Sequence, residues 1–336
     1  VNVHSIVLAS DGTKMSKSKG NVIDPLDLFE EYGTDAVRFG LLYQSSTQDF
    51  AYSHERASMG RSFVTKLWNA MRFILGYPEP SGEGGEPSLA DRWILSAFSR
   101  LCRDYDAFLE ECEFSEAMRR IYDFAWHEFA DWYIEIAKVA PSGATPRVLR
   151  EVFLGIRRLL HPAMPFATEE MASVLGEQEL LARQRFPEHD PSLEDPEAER
   201  AMERTKRAVS AVRSFRAETG LDGELRGRVP EGVEAGVYAA LSGVEPADSP
   251  GGGARATLTA GDVVVELFLT EEMRRLEVER LRKEISRVEG EVERARRKLA
   301  NAGFVERAPS EVVGREREKL ETNSRLLETL ERRLTE

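Results

Sequence analysis

Cysteine is nearly absent from this 336-residue chain: there are two, Cys102 and Cys112. No Cys-x-x-Cys pair and no His-x-x-x-His pair occurs, and the five histidines are scattered, so no metal site is expected. If both cysteines lie on one helix, ten residues at ~1.5 Å each part them by ~15 Å. A disulfide needs Cα atoms within ~7 Å, so two reduced thiols are expected. Long apolar runs are missing too, which excludes a membrane-spanning helix, and no signal-peptide pattern opens the chain. A cytoplasmic protein with no membrane partner is therefore expected. Positive charge is not in excess either: the formal net charge is −13. That argues against nucleic-acid binding through the whole surface, and leaves local basic patches on an acidic body as the alternative.

Lysine is scarce in an uneven way. The chain has 9 Lys against 37 Arg, yet three of the nine fall within six residues, at Lys14, Lys17 and Lys19. Lysine is a compact ammonium on a flexible stem where arginine is a planar fork, so the run suits a mobile loop that follows a phosphate. Read alone it is equally a solvated basic loop. Its flanks are structured. Asp11-Gly12-Thr13 is a turn signal, Gly20-Asn21 follows, and Asp24-Pro25 reads as an N-cap with proline at the first helical position. The lysines thus sit between an apolar segment, Ile6-Val7-Leu8, and a helix ending at Gly33. No Walker-type glycine pattern precedes Lys14.

At 31% charged and 41% apolar residues the chain is of the soluble globular class, long enough for two or three domains. From Ser58 to about Leu181 the period is helical. Phe63, Leu67, Ala70 and Ile74 line one face; Ile94, Phe98, Leu101, Tyr105 and Phe108 a second, entered after Ser88. Met118, Ile121, Ala125, Phe129, Trp132 and Ile136 line a third. Val148, Val152, Ile156 and Leu159 line a fourth, opened by Thr145-Pro146, and a fifth segment starts near Thr168. This is an α-helical bundle. Pro78 to Pro87 and residues 186–196 read as polar loops, and 197–218 as a further helix. Residues 221–255 read as irregular and glycine-rich, followed by a hairpin over Thr257-Leu258-Thr259 and Val263 to Leu267, with its turn at Ala260-Gly261.

From Glu271 the period changes to seven. Val278, Leu281, Ile285, Val288, Val292, Ala295 and Leu299 alternate by three and four. After a turn at Asn301-Ala302-Gly303-Phe304-Val305, where Gly303 stops the helix, a second helix starts near Pro309. Val313, Glu316, Leu320, Asn323, Leu327, Leu330 and Leu334 then repeat the spacing with two polar interruptions. The spacing predicts an antiparallel coiled-coil hairpin, paired within one chain. Between Arg274 and Lys298 there are ten Lys or Arg against six Glu. Either these charges grip an RNA backbone or they pair with nearby glutamates to keep the helices soluble.

Lys14-Met15-Ser16-Lys17-Ser18, continuing through Lys19-Gly20-Asn21-Val22-Ile23-Asp24-Pro25, resembles the KMSKS signature of the class I aminoacyl-tRNA synthetases, in the form used by the valine, isoleucine and leucine branch. Lys66-Leu67-Trp68-Asn69-Ala70 with Arg72-Phe73 resembles the start of that branch's anticodon-binding domain. Asp131-Trp132-Tyr133-Ile134-Glu135, and Leu160-His161-Pro162 with Met164-Pro165-Phe166 running into Thr168-Glu169-Glu170, resemble two later motifs. The C-terminal hairpin resembles the arm of the valyl enzymes, and the cysteine-rich zinc module common in isoleucyl enzymes is missing.

The resemblance implies a mainly α fold: the end of a Rossmann-type catalytic domain with its KMSKS loop and stem-contact helices over 1–50, a helical anticodon-binding bundle over 51–196, a small α/β linker over 197–270 and a coiled-coil tRNA-binding arm over 271–336. It implies a C-terminal fragment of an enzyme that activates valine with ATP and transfers it to tRNA. Lys14 and Lys17 would be catalytic, and Lys14, Met15, Ser16, Lys17 and Ser18 would meet the ATP phosphates. Arg61, Lys66, Asn69 and Arg72 on the first bundle helix, with Arg294, Arg297, Lys298, Arg315 and Lys319 on the arm, would contact tRNA. The cofactor implied for the full-length enzyme is ATP with Mg²⁺, and the partner is tRNA, of the valine type, on a monomer. No His-x-Gly-His motif occurs, though this class uses one to hold the ATP phosphates, so the fragment alone is expected to be inactive. An isoleucyl or leucyl fragment, or a freestanding tRNA-binding or coiled-coil module, are the alternatives.

Overall fold

Capping chemistry accounts for several of the helix starts. In the computed structural model Asp24 accepts from the Leu26 amide at 2.9 Å and opens α1, Pro25–Tyr32, with proline at its first position. Gly33, at φ 91°, separates it from α2, Thr34–Leu42. Ser88 and Asp91 form a reciprocal capping box on α4, Leu89–Glu110. The structure describes residues 4–44, 48–78, 85–221, 223–250, 253–301, 303–304 and 309–335. The chain divides into two compact units, residues 1–202 and 203–336.

In the first unit a short strand β1, Val7–Leu8, pairs in parallel with β2, Phe50–Ala51. The bundle follows as α3 (His54–Leu75), α4, α5 (Phe114–Asp123), α6 (Ile134–Val139), α7 (Thr145–Leu160) and α8 (Pro165–Val174). The four apolar stripes expected from periodicity are largely buried: Phe63, Ile94, Leu101, Ile121, Phe129, Val148, Val152, Ile156 and Leu159 are all fully enclosed. The third stripe does not lie on an unbroken α-helix. Between α5 and α6, Phe124–Tyr133 winds as a π segment. The wider turn moves the core face along by one residue, so Tyr133 is buried where 3.6-residue counting placed Trp132, which is half-buried.

Other expectations shift as well. Residues 186–196 are held on α4: Ser99 Oγ donates to the Asp190 carbonyl at 2.8 Å and Arg103 pairs with Glu194 at 3.2 Å. The two cysteines do not share a helix, because α4 ends at Glu110. Cys112 takes φ 60° in the turn after it, and both thiols are free. Burial pushes the Cys102 thiol up to about 12. Part of the loop 78–87 lies outside the described residues.

α9, Pro196–Thr219, leads into the second unit. There a four-stranded sheet has the order β4-β3-β6-β5. The hairpin is as expected, with β5 (Ala254–Ala260) antiparallel to β6 (Val263–Leu269) and Gly261 at φ 63° in the turn. The stretch 221–255 is more ordered than its glycines imply: it carries β3 (Leu225–Arg228), α10 (Ala235–Ser242) and β4 (Val244–Pro246). Gly227 belongs in β3 because a Cβ there would stand 2.5 Å from the Glu266 carbonyl oxygen of the neighbouring strand. Gly251 and Gly252 lie outside the described residues.

The unit ends in α11, Glu271–Ala300, and α12, Ser310–Thr335. They pair antiparallel: Lys298 meets Glu316 at 3.4 Å, and Asn323 donates to Glu291 at 3.2 Å. Leu281, Ile285, Val288, Val292 and Leu330 form the seam, with Leu320, Leu327 and Leu334 against it. α11 stops at Ala300, before Gly303; Ala302 and Val305 of the expected turn lie outside the described residues.

The tightest crossing in the first unit is between α2 and α3. A Cβ on Gly60 would lie 2.3 Å from the Ala36 carbonyl oxygen, and one on Gly40 2.8 Å from that of Arg56. These obstacles are backbone atoms, so the helices must separate to admit a methyl group. Gly60→Ala should therefore destabilise the first unit by about 1–3 kcal/mol despite alanine's better helix propensity. Urea denaturation followed by far-UV circular dichroism checks this; a stabilised variant would refute it.

Candidate functional site

The lysine loop is held by its neighbours. Asn21 is the organiser. Its side-chain oxygen accepts from the Ser16 amide at 2.8 Å, and its side-chain nitrogen donates to Thr13 Oγ1 at 3.0 Å and to the Lys14 carbonyl at 3.3 Å. Asp11 accepts from the amide and hydroxyl of Thr13, which hold its carboxyl below the usual range. Gly12 and Gly20 take φ 77° and 67°, where a side chain would be strained. Met15 packs against the cluster of Leu28, Val37, Tyr52 and Ala57. The loop backbone is thus anchored by one thioether and one amide, with a short 3₁₀ turn over Lys17–Lys19.

The charged ends behave differently. Lys14, Lys17 and Lys19 are exposed, and none forms an ion pair with a described residue. Ser16 and Ser18 share a hydrogen bond at 2.8 Å between their hydroxyls. The result is an anchored backbone that presents exposed ammonium groups with no ion pair to a described residue, a form suited to an anion brought from elsewhere. The role of Asn21 went unassigned in the sequence. Its only signal was the Gly-Asn pair after the run.

The four bundle residues do not converge on one place. Lys66 and Asn69 share a cleft of about 230 Å³ with Phe73, Asp131, Glu135 and Lys138. Lys66 forms a close ion pair with Asp131 and lies 4.7 Å from the centre of the Trp126 ring. Trp126 and Asp131 are five residues apart, which at α-helical pitch is about 140° around the axis. The i→i+5 bonding of the π segment turns both toward Lys66. Lys138 pairs with Glu135 at 2.6 Å and covers Phe73 at 5.5 Å. Arg61 lies at another cleft of about 310 Å³, with Tyr32, Thr34, Asp35, Thr65 and Phe166, and donates to the Glu31 carbonyl at 3.3 Å. Arg72 is exposed and makes no ion pair with a described residue. Sequence reasoning missed Glu135 and Lys138 as cleft residues and Trp126 as a neighbour of Lys66; the i,i+4 spacing of Asp131 and Glu135 was the available signal.

The proline motif after α7 has a structural task. Arg38 donates to the Ala163 and Pro162 carbonyls at 3.1 and 2.9 Å, and Asp35 accepts from the Ala167 amide at 2.5 Å. Two residues of α2 therefore clasp the start of α8. Burial pushes the Asp35 carboxyl up, opposed by the amides it faces.

On the arm, antiparallel pairing brings Arg294, Arg297 and Lys298 close along the hairpin to Arg315 and Lys319, all exposed. Some of this charge is committed: Arg297 to Glu293 at 3.6 Å and Lys298 to Glu316. Arg294 and Lys319 make no ion pair with a described residue. Among the described residues no group of three His, Cys, Asp or Glu could hold a metal ion, and no helix is long and apolar enough to cross a membrane.

Three family models match consecutive parts of the chain. Residues 1–53 match the tRNA synthetases class I (I, L, M and V), residues 91–229 the anticodon-binding domain of tRNA ligase, and residues 275–336 the valyl tRNA synthetase tRNA binding arm. A valine–tRNA ligase from Thermus thermophilus is 39% identical over 100% of this chain and 40% of its own length. One from Carboxydothermus hydrogenoformans is 38% identical over 99% of this chain and 41% of its own. A solved leucyl complex from Agrobacterium radiobacter K84, titled LeuRS-tRNA-LeuAMS, aligns with a TM-score of 0.49 and 24% identity over 58% of this chain and 24% of that one. The chain spans about 40% of the length of the curated relatives it matches. It belongs to the class I tRNA synthetases, in the valine branch.

Asn21→Ala should unfasten the loop and leave the bundle intact. Losing bonds from one side chain costs about 1 kcal/mol each at this exposure. Hydrogen exchange at residues 13–20 should accelerate roughly tenfold while α3 and α7 keep their protection; unchanged exchange in the loop would show that Asn21 does not hold it.

Proposed function

We propose that this chain is the tRNA-holding part of an ATP-dependent valine–tRNA ligase, acting as a monomer on tRNA-Val in the cytoplasm. The observation that carries the reading is the similarity to valine–tRNA ligases along the whole chain, through the lysine loop, the bundle and the arm in one order. In that reaction the valine carboxylate attacks the α-phosphate of ATP, pyrophosphate leaves, and the valyl group then passes to the terminal ribose of the tRNA.

Charge gathers on the departing pyrophosphate. A donor aimed at it stabilises the transition state more than bound ATP. Lys17 takes this role in the proposal, with Lys14 beside it, and the exposure of both without an ion pair to a described residue supports it. Met15, Ser16 and Ser18 set the loop against ATP, while Gly12 and Gly20 let it open and close. ATP with Mg²⁺ is the cofactor expected of the whole enzyme, and exposed ammonium groups on an anchored backbone fit its phosphates. The bundle reads the anticodon: the cleft of Lys66, Asn69, Asp131 and Glu135 offers donors and acceptors together, with Arg61 and Arg72 as flanking cations. The arm holds the tRNA backbone through Arg294, Arg297, Lys298, Arg315 and Lys319.

Two measurements test this. The 336-residue chain should bind tRNA-Val yet support no valine-dependent pyrophosphate exchange; robust exchange would overturn the division of labour. In the complete enzyme, Lys17→Ala should slow turnover in valine activation roughly a hundredfold, about 3 kcal/mol, with little change in the Michaelis constant for valine. A change confined to the Michaelis constant for ATP would make Lys17 a ground-state binder.

A further inference from the structure

The lysine loop hangs on a single apolar side chain. From Ser10 to Asn21 every residue is polar or glycine except Met15. Met15 is half-buried against the cluster of Leu28, Val37, Tyr52 and Ala57, while Thr13, Lys14, Lys17, Ser18 and Lys19 are exposed. The other tie is polar: Asn21 holds the Lys14 carbonyl and the Ser16 amide, one on each side of Met15. Three ammonium groups of like charge push this loop apart. Its shape therefore depends on two side chains, and one of them is a thioether.

A thioether packs like a hydrocarbon and reacts unlike one. Its sulfur attacks one oxygen of a peroxide. The O–O bond breaks, an S–O bond forms, and the sulfur gives up two electrons; the second oxygen takes the remaining proton and leaves as water. The product is a polar sulfoxide that needs a hydrogen-bond donor. Placing it against an apolar surface without one is costly. Leu28, Val37 and Ala57 offer none, and Tyr52, whose hydroxyl is enclosed and unpaired, is the one donor among the buried members of the cluster. Accessibility sorts the rest of the chain. Of its eight methionines, Met71, Met118, Met164, Met171 and Met202 are enclosed. Met15, Met59 and Met273 are reached by solvent. Met59 lies within α3 and Met273 within α11, where backbone bonds hold the element whatever the side chain does. Only at Met15 does a reachable sulfur hold a loop in place.

We propose that Met15 is an oxidative modification site: a peroxide converts it to the sulfoxide, the polar group leaves the cluster for water, and the lysine loop comes loose. The change is reversible. A thiol-dependent methionine sulfoxide reductase removes the oxygen as water, oxidises two thiols to a disulfide and restores the sulfide. The loosening follows from the packing of the loop alone. Its consequence, a reversible loss of valine activation, rests on the reading of this chain as part of a ligase.

Dilute hydrogen peroxide on the 336-residue chain is the test. Peptide mass spectrometry should find one added oxygen at Met15 before any of the enclosed methionines reacts. Hydrogen exchange at residues 13–20 should then accelerate about fivefold or more while α3 and α7 keep their protection. Met15→Leu keeps an apolar anchor and has no sulfur, so peroxide should leave its loop exchange unchanged even as Met59 and Met273 react. Met15→Gln, polar at similar length, should show the fast exchange with no peroxide at all. Treating the oxidised chain with the reductase and dithiothreitol should restore slow exchange. In the complete enzyme, peroxide should remove a larger fraction of valine-dependent pyrophosphate exchange from the parent than from Met15→Leu, whatever rate each starts from. The proposal is overturned if Met15 takes up oxygen no sooner than the enclosed methionines. It is equally overturned if the sulfoxide form, held by Tyr52 Oη, exchanges as slowly as before. A complete enzyme that activates no valine, with a loop that still loosens on oxidation, overturns the ligase reading and leaves the modification site standing.

Discussion

The first unit is organised around one buried carboxylate. Asp91 is fully enclosed, yet five donors reach it: the amide and hydroxyl of Ser88, Tyr133 Oη at 2.5 Å, Ser142 Oγ at 2.6 Å and Thr145 Oγ1 at 3.0 Å. A buried charge is tolerated only when its lone pairs are met in this way. The five donors come from the start of α4, the end of the π segment and the approach to α7, so one side chain sets where three elements meet. Burial, with Asp91 beside it, pushes the Tyr133 hydroxyl far up, so it stays a donor. Tyr133 lies two residues beyond Asp131. Fixing it fixes the rotation of the π segment, and with it the presentation of Trp126 and Asp131 to Lys66. The cleft is therefore held from behind, by a residue that does not line it.

The same logic runs through the lysine loop. Three ammonium groups close together repel, and a loop that carried them with nothing else would not hold one shape. Asn21 and Met15 supply the missing order from below, one through backbone hydrogen bonds and one by burial. Through Met15 the loop rests on residues of α1 and α2. α2 is pressed onto α3 at Gly40 and Gly60, and clasps the start of α8 through Asp35 and Arg38. The proline motif is thus intelligible as docking rather than chemistry: prolines end α7 and begin α8, and leave free carbonyls for Arg38 to bind.

Much of this was legible in the amino-acid order, because periodicity reports burial directly. The apolar stripes of α3, α4 and α7 and the seam of α11 are where 3.6- and 3.5-residue counting puts them. Caps at Asp24 and Ser88 were equally plain. The failures share a cause: each depends on a partner distant in sequence. No local pattern announces a π segment, whose register is fixed by Asp91 some forty residues earlier. Gly227 looked like a loop residue because the Glu266 backbone that needs the space is on another strand. For the site, residue types were readable and groupings were not. Lys66 and Asn69 were visible on one helix face, but their separation from Arg61 depends on α1 and α8, and Asp131 reaches Lys66 only because the intervening helix is overwide.

Charge is distributed on the same principle of local commitment. The chain is acidic overall, and most of its arginines are tied to neighbours, as Arg204 and Arg207 are to Asp262 and Arg103 is to Glu194. Planar guanidinium groups suit such fixed, forked contacts. Five of the nine lysines are tied in the same way, while a third of the lysines stand in one loop with no ion pair to a described residue. An acidic body repels polyanions at a distance and admits them only where uncommitted cations outweigh it nearby. The two polar interruptions in the hairpin seam follow from this economy. Glu316 and Asn323 sit at core positions and meet Lys298 and Glu291 across the pair. They fix the register of α11 against α12, since a slip would leave each of them facing leucine or valine. Holding that register keeps Arg294, Arg297 and Lys298 at the same end of the hairpin as Arg315 and Lys319, which two helices free to slide could not maintain.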